Sequence, residues 1–234
     1  MHQRYIESLG ISRDARLLEV GCGNGSMSAW MAEHVVPLGQ VVAIDLDLSL
    51  VDDAHAPGVE FRQGDIVIGP VDPARFDFVT ARAVLHHVSN AEAAIDNLVA
   101  SLRPGGIILL VEPDFLPVSV AEPIEIRTFW NGWLIWSRER GIDYHIGRTL
   151  APRLAAHDLK EIGGAAETAV YNGGSPWADY WRQTITELRG DLVQSGKLDD
   201  VLIETFLARC ADPNWWTQTI AFTAVHACAP GSEA

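Results

Sequence analysis

The chain has 234 residues, 48% of them apolar and 21% charged, with 20 glycines and 12 prolines. That is globular composition, which excludes a disordered or low-complexity protein, and the length suits one large α/β domain or one domain with a substantial insertion. Acids outnumber bases 31 to 17, giving a net charge of −14 with no run of Lys and Arg, so nucleic acid and anionic membrane surfaces are poor partners.

The first half reads as strands alternating with helices. Arg16 to Val20 is a short apolar strand that runs into Gly21-Cys22-Gly23-Asn24-Gly25, and a helical stretch follows from Ser26 to about Val36. Gln40 to Asp45 is β-branched and apolar and ends on an acid. A short helix is expected around Leu48 to His55, before Pro57-Gly58. Val59 to Gln63 and Phe76 to Thr80 are the third and fourth strands. Ser89-Asn90-Ala91-Glu92 fits a capping box with Ser89 as N-cap. The helix behind it shows Ile95, Leu98, Val99 and Leu102 on one face and ends at Pro104-Gly105-Gly106. Ile107 to Val111 is a continuous apolar strand, as expected for burial on both sheet faces. Strands spaced by helices in this way imply βαβ units and a parallel sheet.

After Glu112 the texture changes, because 14 of the 19 aromatic residues and seven of the eight tryptophans lie beyond it. Phe129, Trp130, Trp133 and Trp136 recur at helical spacing, which is first of all a core signature. Ser175-Pro176 starts a helix, with the stripe Trp177, Tyr180, Trp181, Thr184, Ile185 and Leu188, and Gly196 ends it. Leu198 to Cys210 is a further helix. Strands are expected near Lys160 to Val170 and from Thr217 to Cys228, with an embedded helical insertion between them.

Cys22, Cys210 and Cys228 show no C-x-x-C spacing, which argues against a disulfide frame or zinc site and for a reducing, cytoplasmic setting without a metal centre. The N-terminus has no apolar stretch of signal-peptide type, and no window approaches a membrane span of roughly 18 apolar residues.

The strongest chemical signal is Glu19-x-Gly21-x-Gly23-x-Gly25, placed after a strand and before a helix. Glycines allow a sharp turn and close approach of a ligand. The helix N-terminus behind them favours negative charge, here a carboxylate, while Glu19 can receive a cationic amine. Asp45, at the end of the second strand, suits the two hydroxyls of a ribose. Asp65, in Gln63-Gly64-Asp65-Ile66, can accept from an exocyclic amine, with Ile66 covering a purine face. A dinucleotide is the competing reading. Its fingerprint has Gly or Ala where this chain has Ser26, the third glycine here comes one residue early, and that reading leaves Glu19 and Asp65 without roles.

Leu17-Leu18-Glu19-Val20-Gly21-Cys22-Gly23-Asn24-Gly25, Val42-Ala43-Ile44-Asp45, Gly64-Asp65, Phe76-Asp77-Phe78-Val79, Leu85-His86-His87-Val88 and Leu102-Arg103-Pro104-Gly105-Gly106 resemble the class I S-adenosylmethionine-dependent methyltransferases over residues 11 to 112. The stretch from Val111 to Phe115, with Gly173-Gly174-Ser175-Pro176 and Asp212-Pro213, is similar to bacterial small-molecule methyltransferases. The resemblance implies an α/β, Rossmann-like sheet of seven strands, mostly parallel with the last antiparallel, helices on both faces and an embedded helical cap. It makes residues 1–234 a single methyltransferase domain, with 1–112 as the cofactor half and 113–160 and 171–214 as aromatic-rich acceptor-side segments.

By the same resemblance the cofactor is S-adenosylmethionine and the product S-adenosylhomocysteine. Glu19, Gly21, Cys22, Gly23 and Asn24 would meet the methionine end. Asp45 and Leu46 would hold ribose and adenine, Asp65 and Ile66 the other side of the adenine, and Ala81 and Arg82 the methionine part. His86, His87, His145, Glu112 and Asp114 are the candidate bases, with at most one of the adjacent histidines facing the acceptor and with Glu112 and Asp114, at the end of the fifth strand, equally suited to a contact in the acceptor roof. The acceptor is expected to be small and aromatic or polyketide-like, methylated on O or N, with C next. With only about 15 residues before the first strand, the family's N-terminal roof is short here, so a homodimer sharing a pocket wall is an expectation. The alternative is a protein that binds S-adenosylmethionine or S-adenosylhomocysteine on the same scaffold without methylating.

Overall fold

The computed structural model describes residues 2–51 and 56–231. Seven strands form one sheet: β1 (Arg16–Val20), β2 (Gln40–Asp45), β3 (Val59–Gln63), β4 (Phe76–Arg82), β5 (Leu102–Asp114), β6 (Lys160–Asn172) and β7 (Trp216–Cys228). Their order is β3-β2-β1-β4-β5-β7-β6. β1, β2, β3, β4 and β5 pair in parallel, and β7 runs antiparallel. The chain reverses its direction of growth at β1 and β4, where β1 pairs with β2 on one side and β4 on the other. Open α/β sheets bind ligands at the carboxyl ends of strands at such a point, because loops leave in opposite directions there and open a crevice.

Eight α-helices accompany the strands among the described residues. α1 (His2–Ser8) precedes β1. α2 (Ser26–Trp30) runs on into a π-helical turn, Met31–Val35. α3 (Ala91–Ser101) leads into β5. α4 (Leu116–Ser119), α5 (Ile124–Arg138) and α6 (Leu150–Ala155) follow. α7 (Pro176–Gln194) and α8 (Asp200–Ala211) precede β7.

Two expectations shift. The cap of α3 is Asn90 rather than Ser89: its Oδ1 accepts from the Ala93 N–H at 3.1 Å. Glu92 does not reach back to the cap but pairs with Arg153 on α6. β5 begins at Leu102, so Pro104-Gly105-Gly106 lies within the strand's span, at a register irregularity against Phe76 and Phe78. The expected helix at Leu48 to His55 is not helical over 48–51, and 52–55 lie outside the described residues. α1, α4 and α6 were not expected. Each is short, and a short apolar run has too few turns to display a helical period.

The chain packs as two compact units. The first comprises 1–112, 146–165 and 223–234, and the second 113–145 and 166–222. The core of the first joins the sheet residues Leu18, Val42, Val79 and Leu110 to Ile95 and Leu98 of α3 and Leu150 and Leu154 of α6. The core of the second is aromatic. Phe129, Trp130, Trp133 and Trp136 of α5 meet Trp181 of α7 and Phe206 of α8, with Phe129 and Phe206 stacked at 4.0 Å between centroids. The buried face of α7 is Ala178, Trp181, Ile185 and Leu192, so Tyr180 of the expected stripe points out to solvent. Among the described residues no helix is long and apolar enough to cross a membrane.

Candidate active site

The loop after β1 is built on three left-handed glycines: φ is +71° at Gly21, +56° at Gly23 and +78° at Gly25. The Gly21 N–H donates to the Ile44 carbonyl at 2.8 Å, so the loop is tied to the end of β2. A Cβ on Gly21 would fall 2.1 Å from Cγ2 of Val84, whereas one on Gly23 would meet no protein atom within 4 Å. Gly21→Ala therefore combines strain with a clash against a cleft-lining side chain. It is expected to cost about 1–3 kcal/mol of stability and to lower cofactor affinity with it, both readable by denaturant unfolding and calorimetry.

Asp45 stands across from this loop. Its Oδ2 accepts from the Gly23 N–H at 2.8 Å, and Oδ1 accepts from the Asp47 N–H at 3.3 Å. Asp65 closes the turn after β3 by accepting from the Val67 N–H at 2.8 Å. A cleft of about 560 Å³ is lined by Gly21, Gly23, Asp45, Leu46, Asp65 and Ile66 from one side and by Ala83, Val84, His87, Val88 and Ser89 from the other. Its volume falls in the range of small-molecule sites.

Glu19 is buried at the end of β1, with its Oε2 accepting from the Ser28 hydroxyl. Burial pushes its carboxyl up to about 7, against the opposing pull of the Ser28 hydrogen bond and the Arg82 guanidinium. A carboxyl raised in this way by burial ionises more readily when a cation arrives beside it. Cys22 is buried beside it, its thiol pushed up to about 12 by burial and the neighbouring Glu19 and Asp45. At that value it is a small packing residue rather than a nucleophile.

Other expected residues lie elsewhere. Asn24 turns away from the cleft, with its Oδ1 accepting from the Ser26 N–H at 3.1 Å, and borders a separate hollow with Trp30 and His34. Ala81 is fully buried within β4, between Val20 and Leu110. Arg82 ends β4, exposed, and the wall of the cleft is carried by the next two residues, Ala83 and Val84.

The adjacent histidines separate cleanly. His87 lines the cleft, and its imidazole is lowered from the ordinary value, by burial first and the neighbouring His86 second. His86 is buried with Nδ1 2.7 Å from Glu112 Oε2. His145 belongs to the second unit, where its Nδ1 lies 3.5 Å from Asp114 Oδ1. Among the described residues no cluster of three or more His, Cys, Asp and Glu could hold a metal.

A family model described as a methyltransferase domain matches residues 3–162. The chain belongs to that methyltransferase family. Two curated relatives share 34% identity with this methyltransferase domain. One is the ubiquinone/menaquinone biosynthesis C-methyltransferase of Pseudomonas putida, matched over 115 residues, 46% of this chain and 45% of that protein. The other is the ubiquinone biosynthesis O-methyltransferase of Coxiella burnetii, matched over 110 residues, 44% of this chain and 45% of that protein. The chain thus spans about half the length of these relatives. The fold is shared with the phosphoethanolamine N-methyltransferase of Haemonchus contortus, solved with phosphomonomethylethanolamine and S-adenosylhomocysteine. That likeness has a TM-score of 0.63 at 15% identity and covers 97% of this chain and 52% of the other.

The family's cofactor is S-adenosylmethionine, and the cleft of the methyltransferase domain fits its chemistry. Beside the cleft, the buried Glu19 carboxyl, bonded by the Ser28 hydroxyl, suits the amine. The bare Gly23 suits close approach of a backbone-sized group. Two carboxylates on one cleft, Asp45 and Asp65, suit a ribose and an exocyclic amine.

Proposed function

We propose that this methyltransferase moves the methyl group of S-adenosylmethionine to a small aromatic or polyketide-like acceptor, on O or N first and on C next. The observation that carries this reading is the single cleft that joins the glycine loop, Asp45, Asp65 and His87. The names of the C- and O-methylating quinone-pathway relatives support a flat, oxygen-bearing acceptor.

When bound, the cofactor supplies a methyl already activated on a sulfonium sulfur. The chain's residues then bind and orient. With the cofactor bound, Glu19 would ionise against the amine, the Gly21–Gly23 backbone would take the methionine end, Asp45 would hold the ribose, and Leu46, Asp65 and Ile66 would hold the adenine. Holding two reactants in line is worth about 7–11 kcal/mol of barrier. For a hydroxyl acceptor a base is also needed, and His87 fits. Its lowered imidazole is neutral at pH 7, so its free ring nitrogen can take the acceptor's proton. His145, in the second unit beside Asp114, is not among the residues that line this cleft and stays a second candidate.

His87→Ala is expected to lower kcat for a phenolic acceptor about 10²–10⁴-fold, with cofactor affinity little changed. In the natural protein, with cofactor saturating, kcat/KM for the acceptor should fall only as pH drops below the ordinary histidine range, because protonation removes the base and the imidazole's midpoint is lowered. Release of S-adenosylhomocysteine, followed across a panel of phenols, quinols, amines and β-diketones, tests the function itself. Turnover that depends on an acceptor supports it. Binding of S-adenosylhomocysteine with no turnover on any of these acceptors would replace it with a non-methylating, cofactor-binding role.

A further inference from the structure

The wall of the cleft that carries His87 is a strained turn with an internal anchor. Ala83 adopts φ +57°, a left-handed conformation that costs a non-glycine residue free energy. Such a turn persists only where its surroundings over-determine it. Here the Ala83 N–H donates to the Val111 carbonyl at 2.9 Å. The next residues converge on one carboxylate. Glu112 Oε1 accepts from the N–H of Val84 at 2.8 Å and of Leu85 at 2.7 Å. Its Oε2 lies 2.7 Å from His86 Nδ1 and 3.4 Å from the His86 backbone nitrogen. Glu112 is wholly buried, so these bonds are made without competition from water and are of the stronger, charge-assisted kind. The His86 ring then packs on His87, 3.9 Å between centroids.

Sequence places Glu112 at the end of β5 and the histidines after β4, adjacent strands of the sheet. Register brings Arg82 beside Val111, so a side chain from the end of one strand reaches under the turn that leaves the other. Glu112 does not line the cleft, and a wholly buried carboxylate calls for a reason.

We propose that Glu112 is a positioning residue that acts through His86: it clamps the 83–86 turn and sets the place and charge environment of His87 in the cleft. This rests on the reading of His87 as the base. The groups whose charge His87 senses are His86 and Glu112, with opposite effects. Asp45 and Asp65 are the carboxylates that share its cleft.

Two variants separate a positioning role from a merely structural one. Glu112→Gln keeps a carbonyl oxygen for the Val84 and Leu85 N–H groups but removes the negative charge that favours protonated His87. His86→Asn keeps an N–H donor toward Glu112 but removes the ring that packs on His87 and the electrostatic effect it has there. The readout is the pH titration of the His87 ring, followed by NMR and assigned through its loss in His87→Ala. The titration midpoint of His87 is expected to fall in Glu112→Gln and to rise in His86→Asn. Midpoints unmoved in both variants, or moved the other way, would overturn the proposal. The pH profile of kcat/KM is recorded alongside. If the midpoints move as expected while the acidic limb of activity stays fixed, the positioning role stands and the assignment of His87 as base falls. If Glu112→Gln fails to fold, His86→Asn alone decides by the same rise.

Discussion

Asp45→Ala is expected to weaken S-adenosylhomocysteine binding by about 10- to 150-fold in calorimetric titration. The figure follows from the loss of hydrogen bonds to a charged group, roughly 1.5–3 kcal/mol. The structure adds a second cause. Asp45 Oδ2 is already engaged with the Gly23 N–H at 2.8 Å, so the carboxylate also holds the glycine loop against the end of β2. Asp45→Asn separates the two contributions, since its carbonyl oxygen still accepts from Gly23 while the charge is gone. The expected order of affinity is natural protein, then Asn, then Ala. Equal affinity of all three would remove Asp45 from the cofactor site.

Glu19→Gln should stabilise the protein while impairing it. The carboxyl is raised to about 7 by burial, above its ordinary value, so the folded state keeps the proton to higher pH than the unfolded chain does. Stability from this group is fully present below the ordinary carboxyl range and is lost as pH rises to about 7. Above that pH the ionised, buried carboxylate costs about 3 kcal/mol. Gln keeps an oxygen for the Ser28 hydroxyl and carries no charge. Denaturant unfolding is therefore expected to show a gain of up to about 3 kcal/mol at pH 8 that shrinks to nothing near about pH 4.5. Cofactor binding should fall by about 10- to 150-fold, because the amine loses its counter-charge. In the natural protein affinity should tighten roughly tenfold between about pH 5.5 and 7 as Glu19 ionises more readily. A pH-independent affinity would mean that the amine is held elsewhere.

One side of the cleft is legible in the sequence because its signals are local. Gly21, Gly23, Asp45, Asp65 and Ile66 each lie at or within three residues of the carboxyl end of a strand, and strand ends on one edge of a parallel sheet become neighbours in space. The bounds of β1, β2 and β3 were readable to the residue for the same reason. Asn24 shares that local signal but faces away, since its short side chain bonds two residues ahead to Ser26. The cap of α3 moved from Ser89 to Asn90 because both types cap equally well, and Glu92 found a stronger partner in Arg153, 61 residues on.

Sequence by itself therefore determined the family, the sheet and most of the residues that line one side of the cleft, since each rests on spacings of a few residues and on strand-then-loop order. Tertiary structure decided which residues beyond β4 face that cleft: Ala83, Val84 and His87 rather than Ala81, Arg82 and His86. The physical reason is that a left-handed residue at Ala83 redirects the chain, and the carboxylate that holds that turn, Glu112, comes from the neighbouring strand 26 residues from His86. It decided equally that the aromatic stripes after Glu112 are consumed as the core of the second unit, because large rings at helical spacing bury against one another before anything else.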